Sequence, residues 1–405
     1  MTKPNHLSVP QNTKIHRIIR ELANKVINHT DEVAGNGLLS GLAGHLLFLY
    51  NAHRFDPSLL DENKFTDKLE LLQEGLAEQS FELSNGLAGQ AWVLEYLNQA
   101  NQDDYDADLL EDVDALFVES LAHNPWLGEI EMVLGLSGYA PYAARRARFT
   151  DQTELYTVIV NGLASVSTKL DNGHITWSQP SESVYRFDKD EDSPRGPEYN
   201  LGLAHGVPGI IAALLPAVHI PKLKEQVTEL LLGGCDWLLE QQNPDKAANA
   251  CFGSCAGEGY ESRLGWCYGD LTIALTLARV GKAIDRPHYV EQALEIAIHS
   301  AHRDAESGHI IDAGLCHGFV GLVTIYQLLN HIMPHPVLSD AMNTWLEYSL
   351  KQYDERGIEA LYSFNGLDKT HSEDFGFLMG YAGIGIGLIS FLDDDVSWSD
   401  CLLMS

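Results

Sequence analysis

The stretch HGFVGLVTIYQLL at residues 317–329 places Gly318 and Gly321 directly before a long apolar run. The same pattern, glycine-x-x-glycine followed by apolar residues, opens at five further glycines: Gly41, Gly86, Gly135, Gly206 and Gly380. One more copy, the fifth of seven along the chain, begins at Gly269 and has Thr272 in place of the second glycine. Neighbouring copies are roughly 45 to 70 residues apart, which leaves room for about two helices each, so the sequence predicts a helical hairpin array.

The two helices of each hairpin differ in polarity. Residues 14–28 carry isoleucine, leucine and valine on one helical face, which predicts an amphipathic helix. The runs after the glycines, such as 271–280 and 320–329, are apolar nearly all round and belong in a core. We therefore predict an all-α protein with an inner ring of apolar helices and an outer ring of amphipathic ones, because closure buries both terminal faces. The periodicity alone also fits an open solenoid.

The glycines have a physical reason to sit at the starts of the inner helices. Glycine lets backbones approach closely, so each turn can be tucked into a crowded centre. If all seven turns lie at one end of the ring, the positive ends of the helix dipoles point at a shared mouth. The residues just before the glycines would line it: Asn85, His205, Cys267, Tyr268, Cys316, His317 and Met379.

Two of the copies carry soft metal ligands within the two residues before the glycine. WCYG at 266–269 offers Cys267, and CHG at 316–318 offers Cys316 and His317. Catalytic zinc sites keep three protein ligands and leave the fourth position to water or substrate, whereas structural sites are usually closed by four. The sequence therefore predicts a zinc enzyme.

Composition restricts the partners and the compartment. The formal net charge of −31 argues against a nucleic-acid partner, because phosphate binding needs clustered Lys and Arg. This charge favours a neutral or basic ligand, or serves only to coat the outer helices for solubility. Six cysteines at irregular spacing make no disulfide framework, and thiolate ligands suit a reducing compartment. Because the sequence shows neither a membrane-spanning run nor a signal-peptide pattern, we expect a cytoplasmic protein.

The repeat also decides the domain organisation. It runs from Gly41 to Gly383 and predicts a single domain over residues 1–405. One interval is longer than its neighbours, and its second half, residues 169–200, loses helical periodicity. That segment holds the strand-like HITWS and the charged RFDKDEDSPRGPEYN. We predict a small β-containing insertion there, which is either a peptide-docking element or an inert surface loop.

Four motifs, taken in their order along the chain, carry a resemblance. AHGVPG at 204–209, WCYG at 266–269, CHG at 316–318 and GYAGIG at 380–385 resemble the motifs of the lanthionine synthetase C-like cyclases. The resemblance covers essentially the full chain, and its two cysteine motifs are specific. It implies an α/α toroid of seven inner and seven outer helices with one zinc ion. It also implies lanthionine synthetase activity in lanthipeptide (lantibiotic) biosynthesis, in which cysteine thiols add to dehydroalanine or dehydrobutyrine of a dehydrated precursor peptide. A separate dehydratase and an exporter are the expected partners.

The resemblance assigns residues around the zinc. His205 precedes its glycine as His317 does and is our first choice for relaying protons to and from the enolate that addition creates. Arg263 matches a motif arginine that would stabilise the enolate oxygen or orient the peptide carbonyl. Tyr268 matches a motif tyrosine near the reacting centre.

One position departs from the family pattern, and two other functions stay open. Relatives often carry an aspartate where this chain has Glu131, which is longer by one methylene, and Glu129 is a nearby substitute. The first alternative function is joining glutathione to dehydroamino acids. The second is a non-catalytic scaffold that binds a leader peptide or a partner enzyme.

Overall fold

The computed structural model describes residues 7–33, 35–78, 80–100, 104–180, 197–245, 248–257 and 261–405. Within these ranges the chain is all-α as predicted, with fourteen α-helices and two small antiparallel hairpins. The helices are α1 (Val9–His29), α2 (Leu42–Phe55), α3 (Glu62–Glu74), α4 (Leu87–Gln99), α5 (Glu111–Leu121), α6 (Ala140–Phe149), α7 (Glu154–Ser165), α8 (Val207–Leu214), α9 (Lys224–Glu240), α10 (Asp270–Ala283), α11 (Pro287–Ser300), α12 (Phe319–Ile332), α13 (Pro336–Arg356) and α14 (Tyr381–Asp393). None of the described helices is long and apolar enough to traverse a lipid bilayer.

Each predicted glycine copy caps the start of a helix. The first glycine of six copies is the N-cap residue of a helix, in extended backbone conformation. The third copy starts as a 3₁₀ helix, Leu136–Tyr139, and becomes α-helical only at Ala140. Pro141 has no N–H to donate back to Ser137, so the first turn cannot be α-helical there.

The helices that follow the glycines are buried, and the helices between them are amphipathic. All residues from Phe319 to Leu329 of α12 are buried, as is α10 from Asp270 to Ala278. By contrast, α1 buries only one face, which includes Ile15, Ile18 and Leu22. The even-numbered helices therefore supply most of the buried residues, and the odd-numbered helices are less fully buried, down to α3, which buries only Leu72.

Contacts divide the described residues into two compact units. The first contains residues of Met1–Asp106, His309–Cys401 and Ser405. In this unit α2 packs against α1, α4 and α14, while α12 packs against α13 and α14. A hairpin of β3 (Ser363–Asn365) and β4 (Thr370–Ser372) follows α13, and its tip carries the exposed Leu367. This hairpin was not predicted from the sequence.

The second unit contains residues of Ala107–Gly308 and Leu402–Met404. In this unit α8 packs against α9 and α10, α10 packs against α11, and α5 and α6 pack against α7. The predicted small β element is present as an antiparallel pair of β1 (Thr168–Lys169) and β2 (Ile175–Thr176). Trp177 anchors it, since its indole N–H donates to the Leu163 carbonyl at 2.8 Å. Most of the charged stretch of the insertion, residues 186–196, lies outside the described residues.

Backbone hydrogen bonds join neighbouring glycine turns within each unit. The residue two places before the N-cap glycine is the usual participant. In the first unit Cys316 N donates to Leu378 O at 3.2 Å, Leu378 N to Leu39 O at 2.9 Å, and Leu39 N to Ser84 O at 2.9 Å. In the second, Ala204 N donates to Cys267 O at 3.4 Å. This pairing fixes equivalent residues of successive copies side by side.

Candidate active site

The two cysteines of the predicted ligand set occupy the same place in their respective copies. Cys267 and Cys316 each lie two residues before an N-cap glycine, and each takes part in the backbone bonds between turns. Gly269 has a positive φ of +116°, which favours glycine, and a Cβ there would lie 2.0 Å from the Arg263 carbonyl oxygen. The turn that presents Cys267 therefore depends on a glycine at 269.

The predicted ligands come together. One ligand atom from each of Cys267, Cys316 and His317 lies within 4.8 Å of the other two, and both cysteines are free thiols. Ligands of a tetrahedral zinc ion are about 3.5 to 3.8 Å apart, so small side-chain adjustments suffice. Two sulfurs and one imidazole suit zinc and leave a fourth position for another ligand. The residues present therefore fit the metal.

A buried carboxylate that the sequence analysis missed lies beside His317. Asp312 Oδ2 is 3.6 Å from His317 Nε2, and the Asp312 side chain is fully buried. Its two oxygens also accept from the backbone N–H groups of Gly314 and Phe364, each at 3.3 Å. Carboxylates beside metal-binding histidines commonly orient the ring. The signal in the sequence is Asp312's place six residues before Gly318, since Asp374 lies six residues before Gly380.

His205 makes a direct contact with Glu131. Nδ1 of His205 and Oε2 of Glu131 are 2.7 Å apart, and the Glu131 side chain is only 7% exposed against 42% for His205. Burial alone lowers the pKa of His205. The hydrogen bond to Glu131, the Glu131 charge and the nearby Cys267 outweigh burial and raise that pKa above its ordinary value. The pair therefore favours an imidazolium at His205.

Glu131 is itself held in place, whereas Glu129 is exposed. The carboxylate of Glu131 accepts from the backbone N–H groups of Val133 and Leu134. Glu129 lies on the surface, and its backbone carbonyl accepts from the Trp126 indole. Of the two glutamates considered from the sequence, Glu131 is the one that reaches His205.

Tyr268 lies beside His205, with ring centroids 6.3 Å apart. Its hydroxyl oxygen accepts a hydrogen bond from Asn200 Nδ2 at 2.9 Å, a partner that the sequence analysis did not identify. Its ring packs over Gly202, where a Cβ would lie 2.8 Å from Tyr268 Cε1. Two contacts from one turn thus fix the orientation of the phenol.

Arg263 is half-buried, six residues before Gly269. Among the described residues its guanidinium makes neither an ion pair nor a side-chain hydrogen bond. The structure therefore joins His205, Glu131 and Tyr268 through contacts, but it ties Arg263 to the site only through the backbone of the Gly269 turn.

Comparisons with known proteins identify the family and the fold. The model of the family described as lanthionine synthetase C-like protein matches residues 32–403. A search of curated proteins returns no significant match. Among solved structures, nisin cyclase superposes with a TM-score of 0.75 and 23% identity, over 95% of this chain and 97% of that one. At this identity the likeness concerns the fold, which is the predicted α/α toroid.

Two weaker structural likenesses have TM-scores below 0.5. An inactive variant of an α-1,6-mannanase from Salegentibacter gives 0.47 at 11% identity, over 92% of this chain and 99% of that one. A polysaccharide lyase gives 0.42 at 10% identity, over 93% and 96%. The family match over residues 32–403 decides the relationship: the chain belongs to the lanthionine synthetase C-like family.

Proposed function

We propose that this chain is a zinc-dependent lanthionine cyclase that forms thioether rings in a dehydrated precursor peptide. The observation that carries the proposal is the Cys267, Cys316 and His317 cluster, whose ligand atoms lie within 4.8 Å of one another. Family membership and the nisin cyclase fold support peptide cyclisation. The His205–Glu131 pair supplies a group suited to proton transfer.

The ligand cluster accounts for the nucleophile. A zinc ion bound by Cys267, Cys316 and His317 would supply Lewis acidity that turns a peptide cysteine thiol into a thiolate near neutral pH. Asp312 would hold the His317 ring in its ligating orientation. Both cysteines are buried, so a zinc ion held by them would have protein on the side away from the fourth position.

His205 accounts for the proton. When the thiolate sulfur bonds to the β-carbon of dehydroalanine, the electrons of the carbon–carbon double bond move to the amide carbonyl and give an enolate. The α-carbon must then gain one proton, and the thiol has lost one. The thiol proton leaves to solvent when the sulfur becomes a thiolate. An imidazolium at His205 then donates its proton to the α-carbon, and the neutral ring regains a proton from solvent. Glu131 positions the ring and favours its charged form.

Two further side chains have supporting roles. Tyr268, directly after a ligand and 6.3 Å from the His205 ring, would donate a hydrogen bond to the enolate oxygen. Arg263 would stabilise the same oxygen or orient the peptide carbonyl, since its guanidinium has no described protein partner. We place the reaction in the cytoplasm, because a reducing compartment preserves thiolate ligands. A dehydratase acting before this chain and an exporter acting after it complete the proposal.

Cyclisation is tested with a panel of synthetic peptides that carry one dehydroalanine or dehydrobutyrine and one cysteine at ring-forming spacings. The zinc-loaded protein should leave the peptide mass unchanged while the thiol becomes unreactive toward N-ethylmaleimide. If the thiol stays reactive on every peptide, a cyclase is the wrong assignment. A mass increase equal to glutathione, when glutathione is supplied, would favour the adduct-forming alternative. Peptide binding that survives zinc removal without any reaction would favour the scaffold.

A further inference from the structure

The side chain of Asn200 uses both ends of its amide in the candidate site. Its Oδ1 accepts from the backbone N–H of Gly202 at 2.8 Å, and its Nδ2 donates to the Tyr268 hydroxyl oxygen at 2.9 Å. We infer that Asn200 is a positioning residue that makes Tyr268 a hydrogen-bond donor toward the reacting peptide carbonyl. The inference rests on the proposed function and extends it to a residue that no sequence motif singled out.

The direction of the hydrogen bond between Asn200 and Tyr268 follows from the partner of the other amide atom, which is the backbone N–H of Gly202. The Gly202 N–H can only donate, so the atom facing it must be the amide oxygen. The NH₂ group of Asn200 therefore faces Tyr268, and the phenolic oxygen must accept. A phenol has one proton, and that proton then points away from Asn200. Accepting one hydrogen bond also strengthens the bond that the same hydroxyl donates.

Comparison with other copies shows that the turn does not require the amide nitrogen. The residue six places before the N-cap glycine is Asn200 in the fourth copy, Asp312 in the sixth and Asp374 in the seventh. All three accept from the backbone N–H two residues later, at 2.8 Å to Gly202, 3.3 Å to Gly314 and 2.7 Å to Gly376. An aspartate oxygen is therefore a sufficient acceptor for this turn. The amide nitrogen of Asn200 is not needed by the turn, and it donates to Tyr268 instead.

The backbone around Asn200 is fixed on both sides. Asn200 is 1% exposed and forms an antiparallel bridge with Cys255. Leu201 N donates to Ser254 O and Ala256 N to Tyr199 O, each at 2.9 Å. The Asn200 carbonyl also accepts from Val207 N, the first residue of α8, at 2.9 Å. A side chain held this firmly can impose an orientation on a neighbour.

The consequence concerns the enolate step. As the carbon–sulfur bond forms, negative charge develops on the carbonyl oxygen of the former dehydroamino acid. A Tyr268 O–H directed at that oxygen stabilises the charge without giving up its proton, and the α-carbon proton still comes from His205. A donor oriented before reaction costs no reorganisation at the moment of reaction.

The test is Asn200→Asp in the full-length, zinc-loaded protein. A carboxylate preserves the acceptor for Gly202, as in the two aspartate copies, but it draws the Tyr268 proton toward itself. We expect kcat on a dehydroalanine–cysteine peptide to fall about 10- to 100-fold, with KM within about twofold and zinc content unchanged. Asn200→Ser, which keeps an acceptor but is too short to reach Tyr268, should behave alike and covers the case in which Asn200→Asp does not fold.

Tyr268→Phe provides the decisive comparison. If Asn200 acts through the hydroxyl, Asn200→Asp should change the rate less than about twofold once that hydroxyl is gone. An equal loss in both backgrounds, or no loss in either, would overturn the inference. Asp374→Asn is the matched control, since it changes the equivalent position of another copy, and it should retain wild-type rates.

A measurement on the protein alone separates this inference from the proposed function. In protein carrying ¹³Cζ-labelled tyrosine, the signal that Tyr268→Phe removes should shift in Asn200→Asp and stay unchanged in Asp374→Asn. An unshifted signal contradicts the role of Asn200, whatever the activity. A wild-type protein that is inactive on every peptide contradicts the proposed function instead, and does so even where the signal shifts.

Discussion

Oε2 of Glu131 lies 2.7 Å from Nδ1 of His205, and the repeat explains why these residues meet. Four residues before the N-cap glycine, five of the seven copies have another glycine: Gly37, Gly202, Gly265, Gly314 and Gly376. A Cβ at Gly202 or Gly314 would meet the backbone just before the next N-cap glycine, 2.5 Å from Cys267 O or 2.7 Å from Met379 O. Glu131 holds this place in the third copy, so its carboxylate lies against His205, directly before the next N-cap glycine.

Glu131→Gln should lower the pKa of His205, because it removes the charge that favours the imidazolium. A proton donor must be protonated, so activity is lost as pH rises through its pKa. We therefore expect the alkaline limb of kcat against pH to move to lower pH, with a rate loss of about 10-fold at pH 8. The pH profile and an NMR titration of His205 measure both effects. Glu129→Gln should leave both unchanged, and an unmoved His205 titration in Glu131→Gln would refute the coupling.

Cys316→Ala should remove stoichiometric zinc, because it leaves only two protein ligands. Elemental analysis of the purified wild type should give one zinc per chain, and the variant well under half of that. Cys251→Ala is the matched control: Cys251 is half-buried and outside the ligand cluster. One tightly held zinc in Cys316→Ala would show that the metal lies elsewhere.

Asp312→Asn should weaken zinc binding about 10- to 100-fold, because the amide can still accept from Gly314 but no longer presents a charge to His317. Competition with a chromogenic chelator gives the affinity. Asp374→Asn makes the same change at the equivalent place of the next copy and should bind zinc as the wild type does. Equal affinities for the two variants would mean that Asp312 serves the turn alone.

The buried His45 on α2 predicts an acid sensitivity that is unrelated to catalysis. Burial, and then the charge of His29, lower the pKa of His45 to about 4. As pH falls through 6.5, the unfolded chain takes up a proton that the folded chain refuses, so stability is lost between about pH 6.5 and 4. From pH 7 to pH 5 this costs about 2 kcal/mol of unfolding free energy.

His45→Met should abolish that contribution. Urea unfolding at pH 7 and pH 5 gives the change in unfolding free energy for the wild type and for His45→Met. The difference between these two changes is the contribution of His45, because the other titrating groups contribute equally to both proteins. His302→Gln changes an exposed histidine and should keep the wild-type pH dependence. Parallel loss of stability in wild type and His45→Met would contradict a buried neutral histidine at this position.

The sequence predicted the features that repeat within one copy and missed those that depend on a neighbour. The N-cap glycines were recognisable from their spacing, and Cys267, Cys316 and His317 from their residue types and their places before two of those glycines. Gly202, four residues before the N-cap glycine, and the carboxylate of Asp312 can be explained only from their contacts with the adjoining turn or side chain. The contacts of Glu131 and Asn200 likewise cross from one copy to the next, and a single copy gives no sign of them.

The close approach at Gly202 yields the last prediction. A Cβ there would lie 2.5 Å from the Cys267 carbonyl oxygen and 2.8 Å from the Tyr268 ring, and the backbone atom cannot swing aside as a flexible side chain would. Gly202→Ala should therefore push the Cys267 turn outward and destabilise the fold by about 1 to 3 kcal/mol. Because Cys267 moves with the turn, zinc affinity should fall as well. Gly366→Ala, where nothing lies within 4 Å, should change neither quantity. Urea unfolding and zinc titration of both variants check this, and a Gly202→Ala protein with wild-type stability and zinc affinity would show that the turn can yield.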